Sequence, residues 1–173
     1  MISRIKLAWW REALQKLDIA PPPAEPLLEA AARYLLPYGV TGSGLAALEN
    51  GWAVLLQEEA LEPGELKAYA SGRGATLFTL TANLLGRSAE KDHLNAGEMW
   101  ALVDLARHSG EPDSSAALSA ARGNLKPLRW PAKLRPLGML AAVAARDLGA
   151  GRFDPQGSPA RMLSMLKHRI TGT

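Results

Sequence analysis

The sequence predicts an all-α protein in which a single domain, residues 1–173, forms an irregular helical bundle. Apolar residues recur at spacings of three and four along most of the chain, as they do on the buried face of an amphipathic helix. No alternation of apolar and polar residues is long enough to predict a half-buried strand. The connections between the helical stretches are short and contain Pro or Gly, which favours one compact bundle.

The helix boundaries follow from proline, glycine and capping residues. The first helix ends at the three prolines 21–23, because proline cannot continue a helix. Residues 62–65 (Glu-Pro-Gly-Glu) predict the start of a long helix, with Gly86 as its C-cap. The strand-like stretch 76–82 lies between helical flanks and is assigned to that helix. Residues 158–159 (Ser-Pro) predict the start of the last helix. The predicted helices cover residues 5–17, 27–35, 45–60, 62–85, 95–108, 114–122, 136–148 and 159–170.

Composition and motifs exclude several kinds of site. The chain has no cysteine, so disulfides, thiolate zinc sites and cysteine nucleophiles are excluded. We expect no signal peptide, because no long apolar run precedes a small-residue cleavage site near the N-terminus. The longest apolar run, residues 137–145, is about half of the roughly 18 residues that a membrane-spanning helix needs. Residues 72–74 (Gly-Arg-Gly) lie between helical flanks and predict close helix packing, not a phosphate-binding loop.

Charge is distributed unevenly along the chain. Residues 119–173 contain ten Lys and Arg against two Asp and Glu, whereas residues 1–118 contain ten against fifteen. Such asymmetry is typical of proteins that bind an anionic partner, such as a diphosphate, lipid head groups or an acidic protein surface, and also of an ordinary solvated basic surface. We expect no nucleic acid partner, because the basic residues are spread along helices and few aromatic residues lie between them.

Four stretches of the chain share a pattern with a known family. They are 4–14 (RIKLAWWREAL), 66–78 (LKAYASGRGATLF), 96–108 (AGEMWALVDLARH) and the part from 134 to 161. In their order and spacing these stretches resemble the squalene/phytoene synthase-like family. The resemblance implies a shortened isoprenoid-synthase-like fold, equivalent to the part of the family domain that follows its first Asp-rich motif.

The same resemblance implies that metal ligands are missing. Enzymes of the family join two prenyl diphosphates and hold Mg²⁺ between the diphosphates and two Asp-x-x-x-Asp motifs. The two aspartate positions of the second motif correspond to His108 and Pro112. The first motif would lie upstream of the Trp-Trp helix, and no Asp-x-x-x-Asp occurs in the sequence. We therefore expect a catalytically defective relative with no catalytic residue, no metal ligand and no cofactor, in which Mg²⁺ binds only if residual diphosphate binding survives.

Four residues are candidates for binding a ligand. The resemblance implies that the helix carrying Tyr69 and Arg73 lines a prenyl cavity, with Tyr69 in the cavity wall and Arg73 bound to diphosphate. Alternatively, Tyr69 is packed in the core and Arg73 is solvated. Asp104 and Arg107 fall at the asparagine and arginine positions of the family's second motif. Asp104 and His108 are four residues apart, so they could form an acid–base or metal-binding pair or a simple contact on the helix surface.

Four residues near the N-terminus are candidates for binding a partner. Trp9 and Trp10 point about 100° apart on a helix, so they cannot both face the core. One would anchor a protein partner or a membrane interface; alternatively, one lies in the core and the other is half-exposed. Arg4 and Arg11 are seven residues apart on one face, so they predict a basic–aromatic patch together with the tryptophans.

Three functions are consistent with these features. The first is a non-enzymatic scaffold, like the complex I assembly factor branch that the LAWWR segment resembles; it would bind a protein partner or self-associate. The second is a binder of an isoprenoid diphosphate or anionic lipid, with a peripheral membrane contact. The third is a prenyl-diphosphate transferase with atypical metal ligands. We expect a cytoplasmic location, at the inner face of a membrane if the protein binds one.

Overall fold

A computed structural model describes residues 2–57 and 59–173, and this part of the chain folds into helices without a strand, which confirms the all-α class. Short 3₁₀ turns lie at Leu36–Tyr38 and Ala132–Leu134, and a π-helical segment, Ala70–Ala75, joins two of the α-helices. The α-helices are α1 (Ile2–Lys16), α2 (Pro26–Tyr34), α3 (Gly42–Ala46), α4 (Glu49–Val54), α5 (Pro63–Tyr69), α6 (Thr76–Leu84), α7 (Lys91–His108), α8 (Asp113–Arg122), α9 (Arg135–Ala150) and α10 (Pro159–Thr171).

α5, the π segment and α6 form one continuous helix, as the sequence predicts. At its start Glu62 and Glu65 form a capping box, in which the Glu65 carboxylate accepts the backbone N–H of Glu62 at 2.7 Å. After its end Gly86 has a φ of +66°, a conformation that glycine adopts without steric cost. The N–H groups of residues 86 and 87 donate to carbonyls of the last turn. The predicted start and C-cap are confirmed, whereas the π segment inside the helix was not predicted.

The prediction of one helix over residues 45–60 is wrong. The structure has two short helices there, α3 and α4, and the second ends at Val54. α3 starts early because Asp18 accepts the N–H groups of residues 42 and 43 and Thr41 accepts that of Gly44. Between the two helices the backbone N–H of Leu48 donates to the carbonyl three residues back, at Leu45, so the chain tightens and turns there. Apolar spacing alone does not reveal such a turn.

α7 lies at the centre of the bundle and packs against α8, α9 and the π segment. It begins four residues before its predicted start because the ring of His93 accepts the backbone N–H of Glu90 at 3.1 Å and caps the first turn. Large buried side chains from the surrounding helices meet around α7 and form the main core, among them Tyr69, Phe78, Met99, Leu102, Leu105, Trp130, Leu137 and Leu148.

A second, smaller core lies at the N-terminal end of the chain. It is made by Leu17, Leu28 and Ala31, with Trp10 and Leu36 packed against it. This cluster joins α1 to α2 and is separate from the core around α7. Among the residues that the structure describes, no helix combines the length and the apolar character needed to cross a lipid bilayer.

Candidate functional site

Arg73 lies in the π segment and stacks between two tryptophan rings. Its guanidinium carbon is 4.4 Å from the ring centroid of Trp52 and 5.2 Å from that of Trp100, distances at which a cation is attracted by an aromatic face. Its Nη2 donates to the Asp104 carboxylate at 3.2 Å. Two of the predicted ligand-binding residues, Arg73 and Asp104, therefore contact each other directly.

Glycines place the π segment close to its neighbours. A side chain at Gly72 would collide with the backbone at Gly51 in α4, and one at Gly74 would collide with the carbonyl oxygen of Gly97 in α7. The predicted close packing at residues 72–74 is confirmed. π segments are frequently found at functional sites, and here the close approach brings Arg73 within reach of both α4 and α7.

Tyr69 is buried beside Arg73, at 2% exposure. Burial raises the pKa of the Tyr69 hydroxyl above its ordinary value, and the charge of Arg73 opposes part of that rise. The hydroxyl is therefore neutral at physiological pH. The structure supports the interpretation of Tyr69 as a packed side chain, whereas Arg73 is mostly buried and paired instead of solvated.

Arg107 belongs to a second charged group, centred on Asp147. The Asp147 side chain is only 2% exposed, and its Oδ2 lies 2.6 Å from Arg107 Nη2 and also contacts Arg161 Nη1. The second Nη of Arg107 donates to the backbone carbonyl of Asp154 at 2.9 Å, and the guanidinium stacks on the Phe153 ring. This group joins α7, α9 and α10 through one buried carboxylate.

A third carboxylate extends the charged group towards the surface. Asp154 accepts from Arg146 Nη2 at 2.5 Å and lies 3.7 Å from Arg152 Nε. The hydrogen bond from Arg146 lowers the pKa of the Asp154 carboxyl below its ordinary value. Asp154 is thus ionised throughout the physiological range and holds the loop after α9 against the helix.

The two charged groups border one cleft between α7, α9 and α10. Its volume is about 90 Å³, well below the roughly 300–1,000 Å³ of pockets that hold small-molecule ligands. Its polar side carries Asp104, Arg107, Asp147 and Arg161, and its apolar side is formed by Trp100, Leu140, Val143, Ala144 and Met165.

The predicted pair of Asp104 and His108 is a contact on the helix surface. His108 Nδ1 lies 2.8 Å from the backbone oxygen of Asp104 and 3.6 Å from its carboxylate, and the His108 side chain is 58% exposed. His93 and Glu98 do not join this pair: His93 caps α7, and Glu98 accepts from Asn124 at 3.3 Å. Within residues 2–57 and 59–173, no three His, Asp or Glu side chains converge as a metal site requires.

The structure separates the four predicted partner-binding residues. Trp9 is 48% exposed, whereas Trp10 packs on the small core, with the two rings edge to face at 5.0 Å. Arg4 is exposed, and Arg11 lies 3.6 Å from the Glu49 carboxylate. Helical geometry places both arginines about 140–160° round α1 from Trp9. Trp9 and the arginines therefore do not share one face, and partner binding by Trp9 stays a prediction.

Sequence reasoning missed Asp147, Arg161 and the two tryptophans around Arg73. The signal for Asp147 is its position on the apolar face of an alanine-rich helix, because an aspartate is rarely fully buried unless it is paired. Arg161 follows from the same argument, since a buried carboxylate needs a cation. Trp52 and Trp100 are far apart in sequence, and no local pattern joins them to Arg73.

A second pocket, of about 170 Å³, lies where α10 meets the loop before α9. Trp130 is buried there between two histidine rings, 4.8 Å from His93 and 6.2 Å from His168. Neither ring nitrogen of His168 has a hydrogen-bond partner among the described residues. Burial lowers the pKa of His168 below its ordinary value, and the charge of Arg135 adds to that effect. His168 is therefore a neutral, packed side chain.

Comparison with known proteins gives no relative: no protein-family model matches the chain, and no curated protein and no solved structure is significantly similar to it.

Proposed function

We propose that the chain is a divergent, shortened member of the squalene/phytoene synthase-like family that acts as a non-enzymatic binding or assembly-type scaffold. One observation supports it: the two cationic candidates for ligand binding are paired with the protein's own carboxylates. Arg73 pairs with Asp104, and Arg107 pairs with the buried Asp147. A ligand would have to displace these carboxylates before it could bind the guanidinium groups.

The size and composition of the cleft support the same proposal. A cleft of about 90 Å³ does not hold a prenyl chain of fifteen or twenty carbons, because even drug-sized ligands occupy pockets of roughly 300 Å³ or more. The family's Mg²⁺ positions carry His108, which is exposed, and Pro112, which has no donor atom. These residues do not fit a magnesium site.

The surface of α1 offers groups that a protein partner could bind. Ile5 and Trp9 are 62% and 48% exposed, and they lie one helical turn apart, about 40° round the helix, so they form one exposed apolar face. Exposed aromatic side chains are frequent at the centres of protein interfaces. We therefore expect a protein partner, or a second copy of this chain, to bind on this side.

The alternative, a binder of an isoprenoid diphosphate or anionic lipid, is favoured by the charge balance of the two groups. Three guanidinium groups (Arg73, Arg107 and Arg161) face two carboxylates (Asp104 and Asp147), which leaves one positive charge in excess. The apolar side of the cleft adjoins this excess charge. An anion with an apolar tail would match that arrangement if α10 moved away to enlarge the cleft.

Thermal unfolding with farnesyl and geranylgeranyl diphosphate, each with and without Mg²⁺, separates these functions. The scaffold proposal predicts no stabilisation in any condition. Stabilisation without Mg²⁺ would favour the diphosphate or lipid binder, and stabilisation that depends on Mg²⁺ would favour a prenyl-diphosphate transferase with atypical ligands; either result would contradict the scaffold proposal.

Capture experiments with variants test the partner surface. Immobilised wild-type protein should retain a partner that the Ile5→Ser/Trp9→Ser variant does not retain. The matched control is Ile19→Ser/Leu27→Ser, which removes two exposed apolar side chains elsewhere. Retention of the same protein by wild type and control, but not by the variant, is the expected result. Equal retention by all three would place the interaction elsewhere.

A further inference from the structure

α10 is an amphipathic helix whose apolar stripe faces outward instead of towards the core. Its inward face carries Arg161, Met165 and His168: Arg161 binds the buried Asp147, Met165 lines the cleft, and His168 packs near Trp130. On a surface helix of a globular protein the apolar stripe normally faces the core. Here the polar and charged groups face the core.

The outward face of α10 carries an apolar stripe. Met162, Leu163, Leu166 and Ile170 are between 55% and 67% exposed. At 100° per residue they fall within about 100° of one another round the helix, so they form a single stripe. Scattered exposed apolar residues are ordinary, but four large ones on one stripe mark a surface that another apolar phase covers.

The charges around the stripe indicate what covers it. Lys167 and Arg169 are exposed and lie on either side of the stripe in the helical projection. α10 has no Asp or Glu, and residues 119–173 carry ten Lys and Arg against two Asp and Glu. Basic side chains beside an apolar stripe are typical of helices that lie in the interface of an anionic membrane. There the aliphatic part of each Lys or Arg side chain contacts the acyl region, while its charged end reaches the lipid head groups.

A second copy of this chain fits the stripe less well. A stable protein interface buries about 800 Å² on each partner, more than four side chains of one short helix supply. Two copies would also bring the basic residues of both helices together, which costs free energy because like charges repel. A bilayer imposes neither requirement, since it adapts to a narrow stripe and its anionic head groups balance the charge.

We propose that α10 docks the protein on an anionic membrane surface, with Met162, Leu163, Leu166 and Ile170 inserted and Lys167 and Arg169 at the head groups. This surface belongs to a different helix from Ile5 and Trp9. The inference does not depend on the proposed scaffold function.

Sedimentation of the full chain with vesicles tests the inference. Wild-type protein should bind vesicles of equimolar phosphatidylcholine and phosphatidylglycerol, bind phosphatidylcholine vesicles much more weakly, and lose affinity as salt rises. The Leu163→Ser/Leu166→Ser variant should bind on the order of tenfold more weakly or worse, because inserting one leucine already contributes about that factor. Lys167→Glu/Arg169→Glu should remove the preference for anionic vesicles.

The matched control is Ile19→Ser/Leu27→Ser, whose two side chains are 88% and 66% exposed and lie outside α10; it should bind vesicles like the wild type. Circular dichroism spectra and melting temperatures establish that each variant is folded.

Failure of the wild type to bind anionic vesicles, or equal binding by the stripe variant, would overturn the inference. Equal binding to neutral vesicles would overturn its electrostatic part. A dimer in solution that only the stripe variant dissociates would show that a second copy covers α10.

Discussion

At the scale of single residues, Asp147 is the carboxylate on which the fold around the cleft depends. It is buried and binds two arginines from different helices, Arg107 and Arg161. Removing one partner of a buried ion pair leaves uncompensated charge, which costs far more than the net contribution of the pair. The charged group is therefore a fixed structural element, and its arginines are not free to act independently.

Asp147→Asn should lower the free energy of unfolding by roughly 3 kcal/mol, the lower end of the range for breaking a buried pair, because the amide retains a hydrogen bond. Asp154→Asn is the control: its carboxylate also binds two arginines but lies nearer the surface, and the expected loss is clearly smaller. Urea unfolding monitored by tryptophan fluorescence measures both variants. Equal losses would contradict the central role of Asp147.

His168 makes stability depend on pH. Its pKa in the folded protein lies below the ordinary value of 6.5, because burial disfavours the imidazolium. As the pH falls below about 6.5, the unfolded chain takes up a proton that the folded protein does not bind. The free energy of unfolding should therefore fall from pH 6.5 downwards, until the pH passes the folded-state pKa.

Urea unfolding between pH 7.5 and 4.5 checks the direction and its source. His168→Gln should flatten the dependence just below pH 6.5, whatever its effect on stability at neutral pH. His108→Gln is the control, because it removes a histidine whose side chain is 58% exposed. The slope of this variant should stay close to that of the wild type. An unchanged slope in His168→Gln would assign the dependence to another group.

At the scale of elements, the π segment and its glycines determine how α7 meets the long helix before it. A Cβ at Gly74 would collide with the carbonyl oxygen of Gly97 and approach the Cα of Glu98 to 2.9 Å. The colliding atoms belong to the backbone, which cannot rotate away as a side chain can. The distance between these helices is thus fixed by backbone contact.

Gly74→Ala should lower the free energy of unfolding by about 1–3 kcal/mol, the usual cost of overpacking. It should also disturb the stacking of Arg73, which is seen as a change in tryptophan fluorescence. Gly64→Ala is the matched control, since nothing lies within 4 Å of an added Cβ there and alanine favours the helix. If Gly74→Ala were as stable as Gly64→Ala, the close contact would be wrong.

Which parts of the chain are helical could be predicted well from this sequence, but the turns between neighbouring helices could not. Prolines, Gly86 and the residues around Glu62 are local signals, and the ends that they predict are confirmed. The early start of α3 depends on Asp18, which reaches it from the end of α1. Such a cap comes from a distant part of the chain, so no window of neighbouring residues contains it.

The candidate site could be predicted only in part, for the same reason. Of the four candidates, Tyr69, Arg73 and Asp104 lie together, whereas Arg107 belongs to the group around Asp147. Their partners Asp147 and Trp52 come from two other parts of the sequence, and Trp100 lies one turn before Asp104 on α7. Without Asp147 the sequence leaves Arg107 as an unpaired candidate for a ligand, whereas in the structure a buried carboxylate of the protein pairs with it.

At the scale of the whole molecule, two cores of unequal size share the chain. The cluster of Leu17, Leu28 and Ala31 is small and separate from the core around α7. Regions with few buried apolar contacts open at lower free energy than the rest of a protein. The N-terminal helices should therefore open without unfolding of the main bundle.

Hydrogen exchange followed by mass spectrometry measures this difference. Amides of α2 should exchange much faster than those in the middle of α7. Leu28→Ala, which removes a fully buried side chain from the small core, should accelerate exchange in α1 and α2 and leave α7 unchanged. Equal protection of α2 and α7 would mean that the whole chain opens as one cooperative unit.

The reversed orientation of α10 separates the contacts that hold it in place from the groups that face outward. The helix is held by the buried pair of Arg161 with Asp147 and by Arg135, which donates to the carbonyl of Ile170 at 2.8 Å. A buried ion pair is screened little by salt, whereas the exposed charges of Lys167 and Arg169 are screened strongly. Added salt should therefore weaken the contacts of the outward face while α10 stays in place on the bundle.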